Sequence, residues 1–159
     1  MTAELLRVVF DCNILWQAFF SKTGASGRCQ KLVEDGKIIL FLSADVLDEV
    51  RDVLTRPETQ NQFAQATPEA VEAFLKDLTS KAVVLKSVAQ KFRYERDPKD
   101  EPYINLAVET KADYLVSRDK DLLDLMTGHT AECKEFRQRF RPLKIIDPVA
   151  FLKLFTDPD

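Results

Sequence analysis

Apolar positions along the chain alternate between two rhythms. Short apolar runs bounded by polar residues mark strands, and residues recurring at i, i+3, i+4 and i+7 mark helices. Residues 7–10 (RVVF) read as a short buried strand, and a helix over about 12–20 follows, where Ile14, Leu15, Ala18 and Phe19 share one stripe. "KTGASG" (22–27) is a turn-rich loop, with Ser26 as the expected N-cap of a second helix reaching Asp35-Gly36. "KIILFL" (37–42) is an unbroken apolar run, typical of a strand covered on both faces. "SADVLDEVRDVLTRP" reads as a helix capped by Ser43 and ended by Pro57. "TPEAVEAFLKDL" repeats the device, with Thr67 as cap and Pro68 in the first turn. "AVVL" (82–85) is a third strand, and a polar connection leads to a helix over about 100–111. "DYLV" (113–116) is a fourth strand, "DKDLLDLM" starts a helix, "LKII" (143–146) is a fifth strand, and Asp147-Pro148 opens the last helix.

Strands alternating with helices predict a parallel sheet covered on both faces. In such sheets ligands bind beyond the carboxyl ends of the strands. Asp11 lies just past the first strand and Asp119 three residues past "DYLV", so both fall on that edge.

Composition narrows the class. A chain of 159 residues, 45% apolar and 31% charged, predicts one soluble globular domain. No apolar run approaches the roughly 20 residues needed to cross a bilayer. No basic segment followed by an apolar one suggests a secretory signal. Only four glycines and no low-complexity tract argue against flexible linkers, and no internal repeat is visible. Cys12, Cys29 and Cys133 are widely spaced and odd in number, which fits reduced thiols in a cytoplasmic protein rather than a disulfide framework or a zinc site. The net charge of −3 excludes a generally basic nucleic-acid binder. It leaves room for a local patch at Lys134, Arg137, Arg139, Arg141 and Lys144, which reads equally well as a solvated helix face.

The acids are placed unusually. On helix 44–56, Val46, Leu47, Val50, Val53 and Leu54 form one apolar stripe, with Asp45, Asp48 and Asp52 far round from it. Glu49 sits about 100° from the stripe's centre, at its flank, and is the one acid of this helix able to lean inward. The bland alternative is a surface salt bridge with Arg51 or a neighbour. Asp100 shares i, i+3, i+4, i+7 spacing with Tyr103, Ile104 and Ala107, so it heads an apolar stripe, whereas Asp97 precedes the helix and Glu101 points away. A carboxylate on a buried stripe is costly unless paired or bound to a metal, although a helix N-terminus also relieves it. Asp11 and Asp119 have capping alternatives too, and Asp121 is the more expected cap of its helix. Asp11, Glu49, Asp100 and Asp119 thus converge on one sheet edge, and no lysine or histidine recurs beside them. Clustered like charges raise one another's pKa, and an all-oxygen pocket suits Mg²⁺ or Mn²⁺. Asp11 reads as a ligand, with Asn13 positioned to orient it or the substrate.

These residues sit in recognisable strings: "VVFDCNIL", "LSADVLDEVRDVL", "DPKDEPYINLAVETKADYLVSRDKDLL" and "LKIIDPVAFLKLF", in that order. The chain resembles the PIN domain family of metal-dependent ribonucleases over nearly its whole length. The most specific elements are the DxN after the first strand and D-x₆-A followed by ADYLVSRDKDLL. The resemblance implies a doubly wound α/β/α sandwich with a central, mostly parallel sheet of about five strands, in a single domain over 1–159. It implies an acidic site on Asp11, Glu49, Asp100 and Asp119 holding Mg²⁺ or Mn²⁺, and endonucleolytic cleavage of single-stranded RNA. Direct or water-mediated metal contact falls to Asp11, Asp100 and Asp119, and Glu49 holds the attacking water or a second ion. Ser117 occupies the hydroxyl position that supports the site, with Asn13 and Asp121 in supporting places. Many relatives are toxins of toxin–antitoxin pairs, silenced by a small antitoxin protein and commonly homodimeric or of higher order. Residues 126–141 have no counterpart in compact members.

Other frames fit less well. A haloacid-dehalogenase phosphatase needs a second aspartate two residues after the first, where Asn13 stands. A receiver domain needs an aspartate after the third strand, and "AVVL" is followed by Lys86 and Ser87. A nucleotide-binding module needs a Gly-rich loop after the first strand. The serious alternative is a catalytically inactive PIN-like module binding RNA or protein. His129, the only histidine, lies on a polar segment and is expected to be incidental, since acid–base ribonuclease chemistry needs a partner for it.

Overall fold

The computed structural model describes residues 4–156, so the outermost three residues at each end of the expected 1–159 domain lie outside it. Five strands, β1 Leu6–Phe10, β2 Ile38–Ser43, β3 Val83–Leu85, β4 Tyr114–Val116 and β5 Lys144–Ile146, form one sheet in the order β3-β2-β1-β4-β5. Every pairing is parallel, and Val8 at the centre lies between Leu40 and Tyr114. The chain moves outward from β1 to β2 and β3, then returns to place β4 on the other side of β1. The order therefore reverses between β1 and β4, which opens a crevice at their carboxyl ends.

The helices are α1 Cys12–Phe20, α2 Ala25–Glu34, α3 Ala44–Thr55, α4 Pro57–Gln62, α5 Pro68–Lys81, α6 Glu101–Glu109, α7 Lys120–Thr127, α8 Ala131–Phe140 and α9 Pro148–Lys153. Right-handed crossovers put α1 to α5 on one face of the sheet and α6 to α8 on the other, and α9 returns against α2. Strands covered on both sides must be apolar on both sides. Val8, Val9, Phe10, Leu40, Leu115 and Val116 are accordingly fully buried. Phe10 meets Phe151 of α9 edge to face at 6.4 Å.

Several local expectations change. Pro57 ends α3 but also begins α4, because a proline at the first helical position gives up an N–H that would have no partner. Ser26 is not the cap of α2. Gly24 holds that place, and Ser26 is buried as the second residue of the helix, donating to Gln17 Oε1 at 2.7 Å. The helix expected from 100 starts at Glu101, after a 3₁₀ turn at Pro98–Asp100. The unmatched segment contains α8, packed on α7, with Phe136 buried against Phe92 at 5.4 Å. The basic patch there is not a single surface: the Arg137 guanidinium turns inward and donates to the carbonyls of Leu125 and Gly128, both at 2.8 Å. All three cysteines are buried with free thiols. Among the described residues, no helix is long and apolar enough to cross a membrane.

Candidate functional site

The crevice is built by the ends of β1 and β4. The backbone N–H of Asp11 donates to Val116 at 3.2 Å, which carries the β1–β4 ladder one residue past the strand. From there Asp11 turns into α1 and caps it, Oδ1 accepting from the Ile14 N–H at 3.1 Å. Oδ2 accepts from the hydroxyl of Ser117, which is fully buried at the end of β4. The same hydroxyl accepts from the Asp119 N–H at 2.9 Å. One serine therefore locks the two acid-bearing strand ends together. Burial pushes the Asp11 carboxyl up to about 6, against the lowering effect of the Ser117 and Ile14 bonds.

Asp119, not Asp121, caps α7, its Oδ1 accepting from the Asp121 N–H at 2.8 Å. The reason is the extended backbone at Asp119, which leaves Asp121 already inside the first turn, where its carboxylate is held by Arg96 at 2.7 Å. Asp100 stands at the cap position of α6 but makes no capping bond. It is only 6% exposed, and its Oδ2 has no hydrogen-bond partner. The capping explanation for Asp100 is thereby removed. Burial, followed by the nearby charges of Asp119, Asp97 and Asp11, raises its carboxyl to about 8.

All four expected acids, Asp11, Glu49, Asp100 and Asp119, line one cavity of about 150 Å³, and Asn13 lines it with them. Glu49 stands exposed at its rim. Its neighbours on α3 face away, Asp48 toward Arg51 at 3.4 Å and Asp52 toward Arg56 at 2.8 Å. The tightest cluster, however, differs from the expected four. One carboxylate oxygen from each of Asp97, Asp100, Asp119 and Asp121 lies within 4.8 Å of all the others, and Asp11 and Glu49 stand outside that group. Asp97 was passed over in the sequence because it precedes the helix. The signal was the "DPKD" spacing: a proline-opened 3₁₀ turn capped by Asp97 closes with the Asp100 N–H donating to the Asp97 carbonyl at 3.0 Å, which brings the two residues together. Ser117 does not line the cavity but bonds to Asp11 and to the Asp119 N–H, and Asp121 belongs to the tight cluster without lining the cavity itself. Asn13 accepts from the indole N–H of Trp16 at 3.0 Å, which fixes its orientation.

Two further residues were not anticipated. Lys99 lines the cavity, contrary to the expectation that no lysine stands beside these acids, because the 3₁₀ turn that presents Asp100 also carries it. Yet among the described residues no ion pair reaches Asp11, Glu49, Asp97, Asp100 or Asp119, and Arg96 answers only the fourth acid of the tight cluster, Asp121. Tyr103, one turn along from Asp100, is buried with an unpartnered hydroxyl in the same cavity. His129 is exposed and does not line it.

Unpartnered buried oxygens and uncompensated carboxylates are expensive in a folded chain unless something binds them. An all-oxygen donor set of this kind fits a hard divalent cation, which tolerates water in its remaining positions. The pattern of the PIN domain family matches residues 7–121. An uncharacterized protein of Methanocaldococcus jannaschii is 28% identical over 152 residues, covering 94% of this chain and 92% of its own. The chain belongs to the PIN domain family, for which a nuclease-type activity and divalent metals are general.

Proposed function

We propose that this PIN domain protein is a Mg²⁺- or Mn²⁺-dependent endoribonuclease acting on single-stranded RNA. One observation carries the reading: Asp100 is buried, unpartnered and uncapped, inside a ring of carboxylates. Asp100 and Asp119 belong both to the expected four and to the tight cluster, so they are the residues that would hold the ion, with Asp97 and Asp11 on either side. When bound, the ion supplies Lewis-acid stabilisation of charge on the phosphodiester and a lowered pKa for water.

The chain's own groups do the rest. Ser117 keeps the Asp11 carboxylate in place, and its bond to the Asp119 N–H sets the distance between the two acids. Arg96 pairs with Asp121, the one acid of the tight cluster that has a counter-charge, and holds it in place. Glu49, exposed at the rim, accepts a hydrogen bond from the attacking water and aligns it with phosphorus. As the water's oxygen bonds to phosphorus its proton passes to the Glu49 carboxylate, the opposite P–O bond breaks, and the leaving oxygen takes up a proton from solvent. Asn13, held by Trp16, orients the substrate.

Purified protein should cut single-stranded RNA with Mn²⁺ or Mg²⁺ and stop when EDTA is added. Cleavage that ignores EDTA would end the metal mechanism, and RNA bound but never cut would return the chain to the binding-module alternative. Within the same reading the protein is the toxin of a toxin–antitoxin pair, working in the cytoplasm as a homodimer or higher homo-oligomer. Family membership is the support for that placement. A small open reading frame immediately upstream, whose product co-purifies with the chain and suppresses cleavage, is its test.

A further inference from the structure

Three buried side-chain oxygens among the described residues have no hydrogen-bond partner. Two of them, on Asp100 and Tyr103, line the acidic cavity. The third, Gln30 Oε1, belongs elsewhere. Gln30 is 7% exposed and lines a separate cavity of about 820 Å³ between the end of α1, the outer side of α2 and the middle of α5. That volume is in the range of ordinary ligand sites. Its floor includes Phe19 and Phe74, whose rings meet edge to face at 5.2 Å.

The charges around this cavity are lopsided. The two acids on its wall, Glu34 and Asp77, are both held by Lys81, at 3.9 and 3.0 Å. Lys22 and Arg28, also on the wall, are exposed and enter no ion pair among the described residues. Lys22 is held there by backbone packing. A Cβ on Gly27 would lie 2.1 Å from the Ser21 carbonyl oxygen and 2.7 Å from the Lys22 backbone, so the turn after α1 rests directly on α2. The cavity thus offers flat aromatic surface, two uncommitted cations and an amide seeking a donor.

α1 joins this cavity to the acidic one. Cys12 lines the first site and Phe19 the second. They are seven residues apart, so they lie on nearly the same side of the helix, about 10 Å along it. A single extended strand can reach both.

We propose that this cavity is a second contact site for the single-stranded RNA substrate, taking a nucleotide a short distance along the strand from the scissile phosphate. The base lies against Phe19 and Phe74, as single-strand binders stack bases on aromatic side chains. Lys22 and Arg28 meet backbone phosphates. Gln30 Oε1, buried and unpartnered, accepts from an exocyclic amino group of the base after a half-turn about its last torsion brings it to the cavity side. This rests on RNA being the substrate, and it adds which residues grip the strand away from the acids.

The test measures binding without cleavage. Anisotropy of a labelled single-stranded RNA of roughly ten nucleotides, in EDTA, is titrated over a range of salt. Lys22→Gln with Arg28→Gln should weaken binding at least severalfold. It should also make the log–log salt slope shallower by about 1.4, since each lost phosphate contact on a single strand removes about 0.7. Both side chains are exposed, so an unchanged melt separates this loss from misfolding. Gln30→Leu should erase any preference for oligo(A) over oligo(U), the base that lacks an amino group. Unchanged affinity, slope and preference overturn the proposal and leave the cavity to another occupant, such as an acidic peptide. If the wild type cleaves RNA with Mn²⁺ while these variants bind normally, this inference alone falls. If the wild type binds with the expected slope but never cleaves, the nuclease reading falls and the contact site stands.

Discussion

Carboxylates occur in this molecule in two opposite settings. On the outer face of α3 and α5, Arg51 reaches Glu72 at 2.7 Å and Asp48 at 3.4 Å, and Arg56 reaches Asp52 at 2.8 Å. The hydrogen bond from Arg51 holds the Glu72 carboxyl below its ordinary value. Next to Asp48 on α3, Glu49 opens into the cavity of Asp11, Asp100 and Asp119, where among the described residues no guanidinium pairs with these acids and Asp100 is raised to about 8. The residue type is the same and the helix is the same. What differs is whether the fold supplies the counter-charge or leaves it to be supplied from outside. The exposed pairs are dispensable decoration in high dielectric. The cavity acids cost stability, and the function that repays the cost is the reason to expect a ligand there.

The largest effect expected from this contrast is catalytic. Glu49→Gln should lower Mn²⁺-dependent RNA cleavage by about 100-fold or more, the usual scale for losing a positioned acid–base group. Asp48→Asn and Asp52→Asn, which break only exposed pairs, should leave cleavage close to wild type. A gel assay on one RNA compares all three. If they behave alike, the division of α3 into a functional and a decorative side is wrong.

Next comes the coupling of metal, protons and folding, read from thermal melts of the wild type and Asp100→Asn. Mn²⁺ at a hundredfold excess over Kd should stabilise the wild type by about 2.7 kcal/mol, and should do nearly nothing for the variant. The variant without metal should keep or exceed wild-type stability, since it removes a crowded charge and no capping bond. The pH dependence has a definite sign. A carboxyl whose folded pKa lies above its unfolded value binds more protons when folded, so stability falls as pH rises. With Asp100 at about 8 and the unfolded group near 4, metal-free wild type should lose stability progressively from about pH 4 to pH 8 and then level off. Asp100→Asn should flatten that slope, and the stabilisation by Mn²⁺ should grow as protons leave the site. A wild type indifferent to Mn²⁺, with a destabilised metal-free variant, would return Asp100 to a helix-end role.

The smallest effect belongs to the exposed pairs. Arg51→Ala should leave the melting temperature nearly unchanged, and the residual difference should vanish in high salt. A large, salt-insensitive loss would mean that the outer face of α3 and α5 is more than decoration.

Much of this was legible in one dimension. Continuous apolar runs such as "KIILFL" announced strands covered on both sides, and their alternation with helical stripes gave a parallel sheet. The wheel of α3 separated Glu49 from Asp48 and Asp52 because rotation along a helix is a local property. The stripe headed by Asp100 marked a carboxylate in the wrong place for the same reason. The errors were also physical. Serine's preference for caps points to Ser26, but a bond to Gln17 on α1 outweighs that preference. Asp97 and Lys99 were missed because a 3₁₀ turn breaks the 3.6-residue period on which the wheel depends.

Hydrophobic period and capping chemistry are fixed by neighbours within a turn, so the sequence by itself determined the elements, the parallel class of the sheet and which acids could not lie comfortably on their own helix. Only the tertiary structure decided that Ser117, just past β4, holds the Asp11 carboxylate at the end of β1, that Arg96 claims Asp121 and leaves Asp100 alone, and that Gln30 lines a second cavity beside two cations with no ion pair among the described residues. Those outcomes depend on residues far apart in the chain meeting at particular distances, and a hydrogen bond or an ion pair exists only where the fold brings its two halves within a few ångströms.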